Sequence, residues 1–172
     1  MRFIQTVAVR RNASVAVFFG RAFMKFMVFD SNSILNRSFY GMPPLTTADG
    51  QPTGAVYGFL NIVLGLIEKE RPDCVAAAFD MREKTFRHMK YDQYKATRKG
   101  MPDELASQMT VAKQALQLLR IPIVEKPGFE ADDIIGTFTD RYSQDGHDCI
   151  IVTGDRDSLQ LINDRTSVFL SV

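Results

Sequence analysis

The run Phe26-Met27-Val28-Phe29 ends on Asp30, and an apolar run followed by a carboxylate recurs along the chain. Short apolar runs without alternation are typical of strands buried on both faces of a parallel sheet. The other runs and their acids are 74–79 with Asp80, 121–124 with Glu130, Asp132 and Asp133, and 149–153 with Asp155 and Asp157. If the runs are parallel strands, all of these acids lie along one edge of one sheet.

Helical patterns separate the runs. Apolar residues recur at helical spacing over 56–67 and over 103–120, and a further helix is expected to begin near Glu130. The remaining predicted elements are a strand over 25–29, a short helix over 158–162 and a last strand over 167–170. This alternation predicts an α/β domain with a mostly parallel central sheet. Ligands of such sheets bind beyond the carboxyl ends of the strands, so the acids are expected to face one crevice.

Each acid also has an ordinary explanation when it is taken alone. Asp30 suits a helix N-cap, Asp80 suits the first residue of a loop, and one acid at a helix start is favoured by the helix dipole. Three acids in one turn do not fit the helix-dipole explanation, because they repel each other. The ordinary explanations would also have to apply independently at all four strand ends. The candidate ligands are carboxylate oxygens, and the only two histidines, His88 and His147, do not have the spacing of metal ligands. Such a donor set favours Mg²⁺ or Mn²⁺ over zinc. We therefore predict a divalent-metal site for phosphodiester hydrolysis, with two ions.

Residues 81–100 combine basic and aromatic side chains directly after Asp80. Lys and Arg neutralise phosphates, and aromatic rings stack on unpaired bases, so this segment is expected to admit a single strand. A solvated, charged helix pair is the alternative. The predicted nucleic-acid contacts are Arg82, Lys84, Phe86, Arg87, Tyr94, Lys95, Arg98 and Lys99, with Arg87 and Lys95 on phosphates and Tyr94 on a base.

Composition sets outer limits on the function. The 172 residues carry a net charge of +1, which excludes a global basic field, so nucleic-acid binding must come from a local patch. No run approaches the ~20 apolar residues of a membrane span. Cys74 and Cys149 sit inside apolar runs and are expected to be buried thiols. Residues 1–24 contain four arginines and no acid, and are interpreted as an upstream start or a targeting-like segment before a domain over 25–172.

The motifs together resemble the N-terminal 5′-nuclease domain of bacterial DNA polymerase I, within the flap endonuclease and 5′-3′ exonuclease superfamily. The resemblance covers the chain from Lys25 onward. The motifs that carry it are Val28-Phe29-Asp30, Ala55-Val56-Tyr57-Gly58-Phe59, Phe79-Asp80, Thr85-Phe86-Arg87, Tyr94-Lys95-Ala96-Thr97-Arg98, Gly128-Phe129-Glu130-Ala131-Asp132-Asp133 and Thr153-Gly154-Asp155-Arg156-Asp157.

The resemblance implies a three-layer, PIN-like or resolvase-like fold with a basic helical arch. It implies an Mg²⁺-dependent nuclease that acts on DNA with a 5′ end or 5′ flap, or on an RNA primer paired to DNA, in replication and repair. A cytoplasmic monomer is expected. The implied catalytic residues are Asp30, Asp80, Arg87 and Lys95, and the implied metal ligands are Asp30, Asp80, Glu130, Asp132, Asp133, Asp155 and Asp157.

The chain departs from the family pattern at both ends. Residues 1–24 have no counterpart in it, and the family continues beyond Val172 with further aspartates and a helix-hairpin-helix unit that grips duplex DNA. On that comparison the second metal is expected to be incompletely ligated and cleavage to be impaired.

Rival functions share parts of this pattern. A PIN-type ribonuclease has a similar acidic α/β site. A haloacid-dehalogenase-like phosphatase also begins with an Asp at a strand end, but it needs a second Asp where this chain has Asn32. A catalytically inactive nucleic-acid-binding module and a phospho-receiver domain are the remaining readings.

Overall fold

The central sheet of the protein contains five parallel strands among the residues that the computed structural model describes, which are 23–81, 83, 85–91 and 100–171. The order across the sheet is β3-β2-β1-β4-β5. The strands are β1 (Lys25–Asp30), β2 (Cys74–Ala78), β3 (Ile123–Val124), β4 (Asp148–Thr153) and β5 (Thr166–Leu170). The helices are α1 (Ser31–Gly41), α2 (Gly54–Glu70), α3 (Phe86–Lys90), α4 (Asp103–Leu118) and α5 (Ala131–Gln144), followed by a 3-10 helix (Arg156–Leu161). The predicted α/β architecture is therefore confirmed.

Strand β1 lies in the middle of the sheet, and its apolar residues 26–29 are fully buried. Successive side chains of a strand point to opposite faces, so β1 contributes to the core on both sides. Met27 and Phe29 pack into a cluster with α1, α2 and α4, whereas Phe26 and Val28 pack into a cluster with α5. Helices on both faces make three layers, which explains why the strand runs do not alternate. Both cysteines are buried, as predicted.

The helices on the first face are held by two close contacts. Gly58 of α2 packs so tightly on α1 that a Cβ there would lie 2.9 Å from the Cβ of Ser38. The amino end of α2 has no side-chain cap of its own. Instead, the buried Oε1 of Gln108, on α4, accepts hydrogen bonds from the backbone N–H of Ala55 at 2.7 Å and of Val56 at 3.4 Å.

Some predicted boundaries shift. The third strand was expected over 121–124, but it comprises only Ile123–Val124. The Ile121 N–H bonds back to the Leu116 carbonyl at 2.9 Å, and Pro122 has no N–H to donate to a neighbouring strand. Helix α1 follows β1 without a linker, with Asp30 as both the last strand residue and the N-cap. Within the described ranges, no helix is long and apolar enough to cross a membrane. Most of the predicted arch, and residues 1–22, lie outside the described residues.

Candidate metal centre at the carboxyl edge of the sheet

Asp30 is the most buried acid of the edge, with 4% of its surface exposed. Its Oδ2 accepts a hydrogen bond from the Thr153 hydroxyl at 2.6 Å, and its Oδ1 accepts one from the Ser33 backbone N–H at 3.1 Å. Burial raises the pKa of this carboxyl from 3.8 to about 6, and the charges of Asp132 and Asp80 act in the same direction against the two hydrogen bonds. The raised pKa shows that burial outweighs the two hydrogen bonds that favour the ionised form.

Asp80 lies two residues beyond β2 and is fixed from two sides. Its backbone N–H donates to the Asn32 Oδ1 at 3.0 Å, and its own Oδ1 accepts from the Ala131 N–H at 2.7 Å. The carboxylate thus binds the first N–H of α5, where the helix dipole favours negative charge. These contacts join the ends of β1 and β2 to the start of α5.

Glu130 and Asp133 form a reciprocal capping box at the amino end of α5. The Arg87 guanidinium makes a bidentate pair with Asp133, at 2.7 and 2.6 Å, and its Nη1 lies 3.5 Å from the Glu130 Oε2. Bidentate pairing is the strongest geometry for an Arg–carboxylate contact. The neighbouring acids of this turn are therefore held together by a cation from α3, and Arg87 contacts two of the predicted metal ligands directly.

The acids after β4 belong to a tight turn. Gly154 N–H donates to the Ser33 hydroxyl at 3.1 Å, and Asp155 N–H donates to the Thr153 hydroxyl at 2.9 Å. Asp155 in turn caps the 3-10 helix by accepting from the Asp157 N–H at 3.0 Å. The turn is thereby tied to the end of β1 through Ser33 and Thr153.

A cleft of about 340 Å³ opens between α5 and the 3-10 helix. Asp132, Asp133 and Asp157 line it together with Arg87, so acids from two strand ends and the α3 arginine face the same space. A charged, open cleft of this kind suits a polar, phosphate-bearing ligand better than an apolar one.

The seven acids share this edge but do not converge on a point. Within residues 23–81, 83, 85–91 and 100–171, no three His, Cys, Asp or Glu side chains are grouped so that they could hold a metal ion. The donor chemistry nevertheless fits a hard divalent cation, because the donors are carboxylate oxygens and the buried Asp30 lies near the negative charges of Asp80 and Asp132. The residues fit the ion in kind, and their final spacing would depend on its binding.

The predicted nucleic-acid contacts are only partly within the described residues. Phe86 and Arg87 are described: the guanidinium carbon of Arg87 lies 4.7 Å from the centre of the Phe86 ring. The other predicted contacts lie outside the described residues, namely Arg82, Lys84, Tyr94, Lys95, Arg98 and Lys99.

Sequence reasoning missed the residues that hold the acids in place. Asn32, Ser33 and Thr153 each bond to an acid or to the backbone beside one. The available signal was the polar run Ser31-Asn32-Ser33 directly after Asp30. Short polar side chains at a strand end can form hydrogen bonds to the ends of neighbouring strands. Arg37 was also missed: its Cδ would lie 3.3 Å from a Cβ at Gly154, which places its stem against the turn before Asp155.

Comparisons with known proteins show what the chain is similar to. Residues 25–171 match the family model for the 5′-3′ exonuclease, N-terminal resolvase-like domain. The chain is 47% identical over 145 residues to a DNA polymerase I of Caldicellulosiruptor bescii, covering 84% of this chain and 17% of that protein. It is 43% identical over 141 residues to a 5′-3′ exonuclease of Aquifex aeolicus, covering 82% of this chain and 49% of that protein.

Solved structures share the fold at low sequence identity. The T5 D15 protein co-crystallised with metal ions superposes with a TM-score of 0.64 at 18% identity, over 85% of this chain and 54% of that one. A bacteriophage T5 D15 flap endonuclease variant, in a complex with DNA and metal ions, gives a TM-score of 0.63 at 17% identity, over 85% and 54% of the two chains. The mostly parallel, PIN-like sheet expected from the motifs is thereby confirmed.

Proposed function

We propose, because the chain belongs to the 5′-3′ exonuclease N-terminal domain family, that it hydrolyses DNA phosphodiesters at a 5′ end or 5′ flap with the help of Mg²⁺ or Mn²⁺. The observation that carries the proposal is the buried carboxylate of Asp30, held at the carboxyl edge of the sheet near the charges of Asp80 and Asp132. The chain spans 17% of the DNA polymerase I relative and 49% of the 5′-3′ exonuclease relative. Because the chain spans only part of these relatives, we propose the nuclease activity from the acidic site of this chain and not from the names of the relatives.

Asp30, Asp80 and Asp132 are the residues we assign to the first metal position, since Asp30 feels the charges of the other two. Asp155 and Asp157, on the turn beyond β4, together with Glu130 and Asp133, are the further candidate ligands. Bound divalent metal would supply an activated water and charge stabilisation at the leaving oxygen.

The protein's own groups orient this chemistry. Asn32 and the first N–H of α5 fix Asp80 at its backbone and at its carboxylate, so that the acid enters the site already oriented. Arg87 lines the cleft while it holds Asp133, and we assign it the phosphate contact nearest to the acids. Lys95 is proposed as the second phosphate contact, on the strength of its motif alone.

The substrate assignment rests on the family and on what its structural neighbours bind. A T5 relative of the fold is named as a flap endonuclease and was crystallised with DNA and metal ions. DNA with a 5′ end or flap, including an RNA primer on a DNA template, is the proposed substrate of this chain. We also propose, by analogy with the family, a role in replication and repair as a cytoplasmic monomer.

Cleavage of a 5′-labelled flap duplex by the whole chain tests the proposal. We expect products that require Mg²⁺ or Mn²⁺ and disappear in EDTA, and a loss on the order of a hundredfold or more in Asp30→Asn, because a metal ligand contributes several kcal/mol to the transition state. Asp140→Asn is the matched control, since Asp140 is an exposed acid two turns beyond Asp132 on the same helix.

Three outcomes would contradict the proposal. Cleavage that persists in EDTA would contradict the role of the metal. Equal cleavage rates for Asp30→Asn and Asp140→Asn would contradict the assignment of the site to Asp30. Faster cleavage of single-stranded RNA than of the DNA flap would replace the flap nuclease with a PIN-type ribonuclease.

A further inference from the structure

We infer that the exposed ring of Phe129, with Lys126 beside it, forms a second contact surface for an unpaired nucleic-acid strand. The inference rests on the proposed function, because the ligand is the strand that the nuclease would cut. Neither residue was among the predicted contacts, which all lie between positions 82 and 99. Both residues lie on the turn before α5 and not in the predicted arch.

Cations lie on both sides of a pair of neighbouring aromatic rings. The Lys126 Nζ lies 4.7 Å from the centre of the Phe129 ring, and that ring lies 5.7 Å from the Phe86 ring at an angle of 55°. The Phe86 ring is in turn approached by the Arg87 guanidinium at 4.7 Å and by the Lys90 Nζ at 5.9 Å. We name these residues, Phe86, Arg87, Lys90, Lys126 and Phe129, the 86–129 cluster.

The backbone joins the two halves of the 86–129 cluster. The Phe86 N–H donates to the Gly128 carbonyl at 2.9 Å, and Gly128 takes a φ of 81°, which a residue with a side chain rarely adopts. The turn therefore presents Phe129 outward, with 39% of its surface exposed, while the next residue, Glu130, is buried as the N-cap of α5. The ring is thus one residue away from the acidic edge.

Exposure alone would be unremarkable, since single exposed apolar residues are normal on protein surfaces. Phe169 on β5 is also 39% exposed. Phe129 differs because cations accompany it: a ring that stacks on a base, flanked by lysines that neutralise phosphates, is the arrangement that single-stranded nucleic acid needs. The position next to the acids places a strand held there beside the proposed point of cleavage.

Binding of a fluorescein-labelled oligo-dT to the whole chain, measured by anisotropy in EDTA, tests the surface without cleavage. Phe129→Leu should weaken binding by about fivefold or more, the lower end of the effect of one lost base–aromatic stack, while Phe129→Trp should retain it. Lys126→Gln should lower the slope of log affinity against log salt by about 0.7, as one lost phosphate contact on a single strand does, and Phe129→Leu should leave that slope unchanged. The matched controls are Phe169→Leu and Lys69→Gln, at an equally exposed phenylalanine and at a lysine 68% exposed on α2.

Several results would overturn the inference. Equal affinities for Phe129→Leu and Phe169→Leu would show that the ring does not touch the strand. A loss of the same size in Phe129→Leu and Phe129→Trp would reduce the ring to a packing role. If the wild type cleaves flaps and Phe129→Leu binds oligo-dT as tightly as the wild type does, the surface is refuted and the function stands. If binding depends on Phe129 but the wild type shows no metal-dependent cleavage, the function alone is refuted.

Discussion

Asp30→Asn should make the metal-free protein more stable near neutral pH, although it removes the carboxylate on which the proposed activity depends. Burial lifts the pKa of Asp30 from 3.8 to about 6, and each pKa unit corresponds to about 1.36 kcal/mol, so the ionised side chain opposes folding by about 3 kcal/mol. The sign follows from proton binding: between these pKa values the folded state holds the proton that the unfolded state has released. Stability contributed by the protonated carboxyl is therefore lost as the pH rises through about 6.

Asparagine is never charged at this position and escapes that loss. It has a single carbonyl oxygen, however, whereas Asp30 accepts one hydrogen bond from Thr153 and another from Ser33. One lost hydrogen bond subtracts about 1 kcal/mol. The net expectation is a gain of about 2 kcal/mol in the free energy of unfolding at about pH 7.5. At about pH 4.5 the expected gain is about none, because the pKa difference then costs the wild type only about 1 kcal/mol, which the variant's lost hydrogen bond offsets.

Urea unfolding in EDTA, followed by circular dichroism at both pH values, measures the two free energies. Asp140→Asn, at an exposed acid of α5, is the matched control. Excess Mg²⁺ should reverse the order at the higher pH, because an ion that binds only the folded wild type stabilises it by mass action. A variant that is less stable than wild type by the same amount at both pH values would refute the reasoning about the buried charge.

The remaining predictions concern packing and orientation. Gln108→Ala should lower the free energy of unfolding by about 1–3 kcal/mol, because the amino end of α2 loses its acceptor, and unchanged urea midpoints would contradict that role. Gly58→Ala should destabilise the chain through its 2.9 Å clash with α1, whereas Gly65→Ala, with nothing within 4 Å, should stabilise the same helix by up to about 1 kcal/mol. Thermal melts of Gly58→Ala and Gly65→Ala test the contact between Gly58 and α1. A higher melting temperature in both variants would contradict that contact. Asn32→Ala should weaken Mg²⁺ binding in calorimetry by releasing the Asp80 backbone, while Asn32→Asp, which keeps the acceptor oxygen, should bind more tightly than Asn32→Ala; equal affinities would limit Asn32 to stability.

The five strands and the helices α2, α4 and α5 could be predicted because their signals are local, whereas α1 (Ser31–Gly41) was not among the predicted elements. Residues 26–29 form an unbroken apolar run because β1 is covered on both faces, and the periodicity over 103–120 corresponds to one helix face that packs on the sheet. The carboxyl ends of all strands in a parallel sheet lie at the same edge, so acids that follow the strands were expected along that edge. This prediction needed no knowledge of side-chain contacts.

The grouping of the acids within the edge could not be predicted in the same way. The pair between Arg87 and Asp133 joins residues 46 positions apart, and the bond from Asp80 to Asn32 spans 48. A basic residue in a basic segment gives no sign that it will pair with an acid of the same chain. Such contacts depend on how α3 and α5 pack, which single-sequence patterns do not encode.

Helix α1 begins at the residue after Asp30, without a linker, and this gives the edge a fixed point of reference. Asp30 belongs to both the central strand and the cap of a packed helix, whereas Asp80 and Asp155 stand on turns outside the strands. Any adjustment that draws the acids together is therefore expected to be smallest at Asp30. The geometry of the site is set from the middle of the sheet outward, and variation in the surrounding turns can change which substrates reach the edge without displacing its centre.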